Sequence, residues 1–292
     1  MIGEFLQALH RYPFMQYAVA TGVLASVACG VVGSYIVVRR ITYVAGGISH
    51  CVLGGMGAAM YLNKVHGWHW LHPLHGATAM ALAAALLIGL VGLRYKQRED
   101  TVISAVWAIG MAAGVLFITK TPGYASDLMS YLFGNILMVT PADLRLIGLL
   151  DAAVVASALV FYKQFLAVCF DEEYARARGL RVEFYYLFLL CLTALTVVLL
   201  VTVVGIIMVI ALLTLPVAVA GHFAKRLWQM MVLSAVLSAV LTTAGLAISY
   251  GPDLPAGATI IVLAGAAYLA TTLLHRPLSA IGRRGTPHAQ SL

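Results

Sequence analysis

The feature that most constrains the fold is a run of 41 residues, 184–224, that contains no Asp, Glu, Lys or Arg. As one continuous α-helix this run would be about 60 Å long, which is twice the thickness of the hydrocarbon core of a bilayer. The run therefore predicts two membrane-spanning helices joined by a turn. Gly205 is the position at which we expect the chain to fold back.

Similar charge-free stretches recur along the whole chain, which is 62% hydrophobic and only 10% charged. Soluble domains have about 25% charged residues, so this composition excludes a water-soluble enzyme, and it also excludes a disordered chain. We predict an all-α, polytopic membrane helix bundle of about nine (eight to ten) transmembrane helices. The predicted spans are 14–38, 43–63, 75–93, 101–119, 143–162, 184–203, 205–222, 226–248 and 256–274.

The placement of basic residues predicts the orientation. Of the 18 Lys and Arg residues, 14 lie in loops on one side of the predicted helices, and four (Arg11, Lys64, Lys120 and Arg145) lie on the other. Cytoplasmic loops carry the excess of Lys and Arg, so the first side is assigned to the cytoplasm. The net charge of +7 thus follows from membrane topology and does not indicate nucleic-acid binding. We predict one transmembrane domain, 1–275, and a polar cytoplasmic tail, 276–292.

Enzyme motifs are missing from the sequence. It contains no P-loop, no H-E-x-x-H and no G-x-S-x-G pattern. Its four cysteines form no C-x-x-C pair, so neither a disulfide framework nor a zinc knuckle follows. These absences favour a conduit over a catalyst.

The second predicted span contains an ionisable residue, His50, among several glycines. Ionisable residues inside membrane helices usually face a cavity or a partner, and neutral imidazole is a good ligand for zinc. His50 is therefore a candidate metal-pathway residue. The alternative is a histidine that hydrogen-bonds to a neighbouring helix within ordinary small-residue packing. Asp151, inside the fifth span, is a second candidate for the pathway, with a polar partner or the backbone as the alternative.

Four histidines, His66, His69, His72 and His75, recur at intervals of three in the loop after the second span. They could collect or pass on a metal ion on the outer side. The reading that we favour is an interfacial loop in which Trp68 and Trp70 lie at the level of the lipid headgroups.

A short helix is predicted near 171–180, in the largest cytoplasmic loop. Asp171 suits an N-cap, and Glu172 and Glu173 suit a first turn. Arg176 and Arg178 favour the last turn, and Gly179 suits the C′ position. Such a helix could dock into a groove on a partner protein, or it could be a solvated surface helix.

Together these segments resemble the integral-membrane permeases of metal-ion ABC importers, the zinc, manganese and ferrous iron class. The resemblance covers about 230 residues, and the order and spacing of the segments carry it. The matching segments are 33–40, 48–55, 132–137, 170–180, 204–216 and 254–260.

The resemblance implies a symmetric homodimer of permeases in a prokaryotic inner membrane, with the pathway at the interface. It implies two copies of a separate ATPase that grip the helix at 171–180, and an extracytoplasmic metal-binding protein. This chain would then be a transport subunit with no catalytic residues and no cofactor of its own, and ATP would be used by the partner. The family histidine that faces the pathway matches His50.

An aspartate often precedes that histidine by one turn in the family, but this sequence has Gly46 there. A carboxylate–imidazole site suits manganese or iron, whereas imidazole without a carboxylate favours zinc. Zinc is therefore the expected cargo, with manganese or iron as alternatives. Three other interpretations stay open: a permease for a chelated metal or cobalamin-like ligand, an intramembrane metal-dependent enzyme, and a proton-coupled secondary transporter.

Overall fold

The computed structural model describes residues 2–95, 99–122, 134, 136–252 and 254–282. Within these residues the chain forms twelve α-helices, one 3₁₀ turn at Ile136–Met138 and no strand. The helices are α1 Ile2–Arg11, α2 Pro13–Val38, α3 Thr42–His66, α4 Pro73–Tyr95, α5 Glu99–Lys120, α6 Pro141–Val160, α7 Tyr162–Phe170, α8 Glu172–Ala177, α9 Val182–Val204, α10 Ile206–Phe223, α11 Leu227–Tyr250 and α12 Ala256–Gly282.

The helical bundle predicted from the sequence is confirmed, and each predicted span coincides with a helix. Within the described residues, seven helices are long and apolar enough to cross a membrane. The pair α6 and α7, bent by 72° at Phe161, could supply an eighth span. The ninth predicted span is α3, which has 25 residues but is not among these helices. Its glycines and its polar residues, His50, Asn63 and Lys64, lower its hydropathy.

Gly205 separates α9 from α10, as the length of the charge-free run predicts. Its φ of 85° and ψ of 159° lie in a region that residues with a Cβ rarely adopt, so the helix ends there. Gly134 packs against the peptide between Val204 and Gly205. Of the segment 132–137 that contributes to the family resemblance, residues 132, 133 and 135 lie outside the described residues.

The middle of α3 lies in the interior of the bundle, where its most extensive contacts are with α5 and α4. Small residues allow this approach. A methyl group at Gly54 would lie 2.6 Å from the carbonyl oxygen of Gly110 on α5. Gly55 lies similarly close to Gly76 on α4, so backbone packs directly on backbone there. The fold therefore places α3, with His50, between two neighbouring helices rather than against lipid.

Candidate functional site

His50 lies on α3 with only 8% of its surface exposed. Its ring stacks on the indole of Trp107 from α5, with ring centroids 4.5 Å apart and an interplanar angle of 15°. Its Nδ1 atom is buried and has no hydrogen-bond partner among the described residues. The helix-to-helix hydrogen bond that was the alternative explanation for His50 is therefore not made through Nδ1. Aromatic stacking holds the ring instead.

Trp107 also occupies the space beside Gly46. Residues 46 and 50 are one helical turn apart, so their side chains share a face of α3. A Cβ at Gly46 would lie 3.2 Å from the indole ring, which is tighter than an ordinary carbon contact. A side chain at residue 46 would therefore require the indole to shift. Sequence reasoning missed Trp107, because nothing in its local pattern connects it to a histidine 57 residues earlier.

Cys51 does not share this site. Its thiol donates to the carbonyl oxygen of Val106, 3.3 Å away. The thiol is therefore directed at the backbone of α5. This agrees with its position, about 100° around the helix from His50.

Asp151 lies inside α6 with 5% of its surface exposed. Neither carboxyl oxygen has a hydrogen-bond partner among the described residues. The buried thiol of Cys29 on α2 lies within electrostatic range of it. α6 packs mainly on α2, whereas α3 packs mainly on α5 and α4, so the structure does not place Asp151 on a helix that packs extensively against α3.

No cluster of three or more His, Cys, Asp or Glu side chains with metal-site geometry exists within the described part of the chain. A catalytic metal centre needs about three protein ligands and an open position. The described residues of one chain therefore do not provide the constellation that an intramembrane metalloenzyme needs.

The outer loop holds its histidines in separate environments. The His72 and His75 rings lie 6.2 Å apart edge to face, and His66 contacts Tyr61. Nδ1 of His72 accepts a hydrogen bond from the amide of Leu74, which leaves the proton of the neutral ring on Nε2. His72 can therefore ligate a metal through Nδ1 only if its hydrogen bond with the amide of Leu74 is broken, or through Nε2 only if that nitrogen loses its proton. A metal-relay role for His66, His69, His72 and His75 stays a prediction.

The loop backbone is held by Asn63 at the end of α3. Its Nδ2 atom donates to the carbonyl oxygens of Trp68, at 3.2 Å, and Leu71, at 3.3 Å. Trp68 and Trp70 stack on each other and are exposed, as the interfacial reading expects.

The predicted cytoplasmic helix is present as α8. Asp171 accepts a hydrogen bond from the amide of Tyr174 at 2.9 Å, which makes it the N-cap. At the other end Gly179 has a φ of 75°, and its amide donates to the carbonyl of Arg176. The amide of Leu180 donates to the carbonyl of Ala175, which completes a Schellman motif. The local signals near 171–180 therefore formed the expected helix, while its role as a docking element stays a prediction.

The charged side chains on and next to α8 differ in their contacts with the rest of the protein. Arg176 pairs with Glu183 at 2.8 Å, and Arg178 donates to the hydroxyl of Tyr174 at 2.9 Å. Glu173 is exposed, whereas Glu172 pairs with Arg39 from the end of α2. Burial tends to lower the pKa of the Arg39 guanidinium, but the hydrogen bond and charge of Glu172 outweigh it and raise the pKa.

A cleft of about 840 Å³ lies next to α8 on the predicted cytoplasmic side. Its apolar lining comes mainly from α7 along its length and from the start of α11, and includes Phe170 and Trp228. Four basic residues line it: Lys163, Arg178, Lys225 and Arg226. Sequence reasoning placed Arg178 in the predicted cytoplasmic helix, and it counted Lys163, Lys225 and Arg226 only as part of the positive charge of the cytoplasmic side.

Comparisons with known proteins point to one family of membrane transport proteins. The model of the ABC 3 transport family matches residues 11–275. A protein of Chlamydia trachomatis serovar D named "Probable metal transport system membrane protein" is 43% identical over 256 residues, 88% of this chain and 87% of its own. The manganese transport system membrane protein MntC of Listeria monocytogenes is 34% identical over 260 residues, 89% of this chain and 90% of its own. Among solved structures, PsaBC from Streptococcus pneumoniae in complex with Fab has a TM-score of 0.81 at 32% identity, covering 93% of this chain and 95% of that chain.

Proposed function

Because this chain belongs to the ABC 3 transport family, we propose that it is the permease of an importer whose cargo is zinc. Membership makes the chain a membrane subunit of a metal ABC importer, with ATP hydrolysis in a separate subunit, and not an enzyme. The chain is a multi-pass membrane protein of a prokaryotic importer. The finer steps below concern the cargo, the pathway and the assembly.

The observation that carries the proposal is the buried Nδ1 atom of His50 on α3, which has no hydrogen-bond partner among the described residues. In a two-fold dimer, His50 from each copy would face the shared axis and supply two nitrogens, and water would complete the coordination of the ion. Such a site binds weakly. Weak binding suits a transit site, because the ion must also leave it.

The surroundings of His50 favour zinc over manganese. Manganese prefers oxygen ligands, whereas zinc accepts imidazole readily. A Cβ at Gly46 would lie 3.2 Å from the indole of Trp107, so a carboxylate one turn before His50 would require the indole to move. Trp107, which stacks on the imidazole, offers an aromatic face and no oxygen.

The assembly proposed is a homodimer with two ATPase subunits below and a metal-binding protein above. α8 would dock into the ATPase, and closure of the ATPase would move the ion by alternating access. In support, α8 is capped at both ends, and Glu173 in its first turn and Arg178 at its C-cap are both exposed. The exposed histidines near His75 would meet the delivery protein on the outer side.

Manganese is the second candidate, because relatives such as MntC of Listeria monocytogenes are named as manganese permeases. A chelated metal is a third, and it would need no histidine. We would reconstitute the complete transporter in proteoliposomes and measure ATP-dependent uptake of radioactive zinc. Unlabelled zinc, manganese and a zinc chelate would be added as competitors.

We expect unlabelled zinc to compete more strongly than manganese or the chelate. We also expect His50→Ala to lower zinc uptake by about tenfold or more, because the substitution removes both proposed nitrogen ligands, one from each copy. His10→Ala, which removes an exposed histidine on α1, is the matched control. Unchanged zinc uptake by His50→Ala would remove His50 from the pathway.

A further inference from the structure

The corner between α2 and α3 is short and fixed. Arg39 caps the end of α2, and the amides of Arg40 and Ile41 donate to the carbonyls of Val37 and Ile36. Arg40 has a φ of 63°, a left-handed conformation that usually requires glycine. The Schellman motif that ends α2 therefore leads directly into α3, with no flexible residue between the two helices. A displacement of the end of α2 must reach the start of α3.

The side chain of Arg39 connects this corner to three further helices. Its Nη1 atom donates to the carbonyl oxygen of Val168 on α7 at 2.6 Å. Its guanidinium carbon lies 4.2 Å from the ring centroid of Tyr186 on α9. Its Nη2 atom pairs with Glu172 in the first turn of α8. Only 11% of the Arg39 side chain is exposed, so the network is largely enclosed by protein.

We propose that Arg39 is the positioning residue through which movement of α8 reaches α3 and the cargo site on it. The proposal rests on the function proposed above, in which α8 contacts the ATPase and His50 lines the ion route. His50 lies eight residues after the first residue of α3, about 12 Å along the helix at 1.5 Å per residue. A shift of Glu172 would therefore move the corner, and the corner would move the helix that carries His50.

The geometry explains why arginine serves here. The planar guanidinium donates in two directions at once and stacks on an aromatic face, whereas a lysine ammonium offers one point charge. Arg39 uses both features, since it binds Val168 and Glu172 while it lies over Tyr186. A lysine at this position would keep the charge and lose the connection between α7 and α8.

The competing explanation is that Arg39 merely fastens α8 to the bundle. The two explanations differ in the ratio of metal ions transported to ATP hydrolysed. A fastening residue lowers assembly, so ATP hydrolysis and transport fall together. A residue that transmits movement lowers transport for each ATP and leaves hydrolysis close to normal.

The experiment uses the complete transporter in proteoliposomes and measures zinc uptake and ATP hydrolysis in the same sample. We expect Arg39→Gln to keep ATP hydrolysis within about twofold and to lower the zinc transported per ATP by about fivefold. Arg39→Lys should show the same defect, because the charge alone does not rebuild the network. Glu183→Gln is the matched control, because it removes an exposed ion pair with Arg176 next to α8.

An unchanged transport ratio for Arg39→Gln would overturn the proposal. If Arg39→Gln does not assemble, the ratio measured for Arg39→Lys decides in the same way. A proportional fall of uptake and hydrolysis in both variants would also overturn it, in favour of a fastening role. Failure of the proposed function looks different, since the unmodified transporter would then show no ATP-dependent zinc uptake.

Discussion

The middle of α3 and the corner at the start of α3 use their polar side chains in opposite ways. In the middle, His50 is buried, stacks on Trp107 and leaves its Nδ1 atom without a partner among the described residues. At the corner, both terminal nitrogens of Arg39 have protein partners on other helices. A group without a protein partner remains available to a passing ion, whereas a paired group joins helices. Under the two proposals above, contact with the ion would fall to the middle of α3 and transmission of movement to the corner between α2 and α3.

The largest effect is expected from a change that disrupts the packing of α3 itself. Gly55→Leu would place a side chain against the backbone of Gly76, which has no flexible end that could move away. We expect a loss of at least about 3 kcal/mol in the free energy of unfolding and little folded protein in the membrane. Thermal unfolding of detergent-purified protein measures this. Gly265→Ala on α12 is the control, because nothing lies within 4 Å of the added methyl group and its stability should stay near that of the unmodified protein.

The next prediction concerns variants that place a carboxylate beside His50. Gly46→Asp alone should clash with the indole and reduce transport of zinc. Gly46→Asp together with Trp107→Ala opens the space and places a carboxylate beside the imidazole. We expect this double variant to shift the preference from zinc toward manganese by about tenfold, measured by competition in uptake assays. Trp107→Ala alone is the control, and an equal shift in that variant would contradict a role for the carboxylate.

A smaller effect is expected at the cytoplasmic docking helix. Asp171→Ala removes the N-cap of α8 and should cost about 1 kcal/mol of local helix stability. Docking should then weaken by about fivefold, measured as the concentration of purified ATPase that half-saturates the permease. Asp143→Ala removes a capping box at the start of α6, on the predicted outer side, and serves as the control. Equal weakening by both variants would mean that α8 is not the docking element.

The smallest effect on stability is expected at Asp151. Breaking a buried ion pair costs about 3–5 kcal/mol, but no such pair is present at Asp151 among the described residues. Asp151→Asn should therefore change the free energy of unfolding by less than about 1 kcal/mol. If Asp151 lines the pathway, which is one of the two roles that the sequence leaves open, zinc uptake should fall nonetheless. Uptake and thermal unfolding measured on the same preparation test this, and normal uptake would assign Asp151 to packing.

Features set by local sequence were predictable. Charge-free stretches located the helices, the excess length of 184–224 required the break at Gly205, and the capping residues near 171–180 predicted both ends of α8. These signals work because they depend on chain neighbours or on the thickness of the bilayer. The sequence predicted α3 as a span, although α3 is not among the helices that are apolar enough to cross a membrane by themselves. Its lower hydropathy reflects a helix that is enclosed by protein.

Contacts between distant residues were not predictable from one sequence. Arg39 pairs with Glu172, 133 positions away, and Trp107 stacks on a histidine 57 positions earlier. Neither residue has a local pattern that names its partner, because helix packing decides which side chains meet. The bend of 72° at Phe161 was missed for the same reason, since no proline or glycine marks it.

The modest hydropathy of α3 also has a consequence for biosynthesis. A segment with glycines, His50, Asn63 and Lys64 partitions poorly from the translocation channel into lipid by itself. Its neighbours α4 and α5 are strongly apolar and pack closely against it. The helix that would hold the proposed ion site therefore depends on the helices beside it for insertion into the bilayer, and its packing is complete only once those later-made helices have left the ribosome.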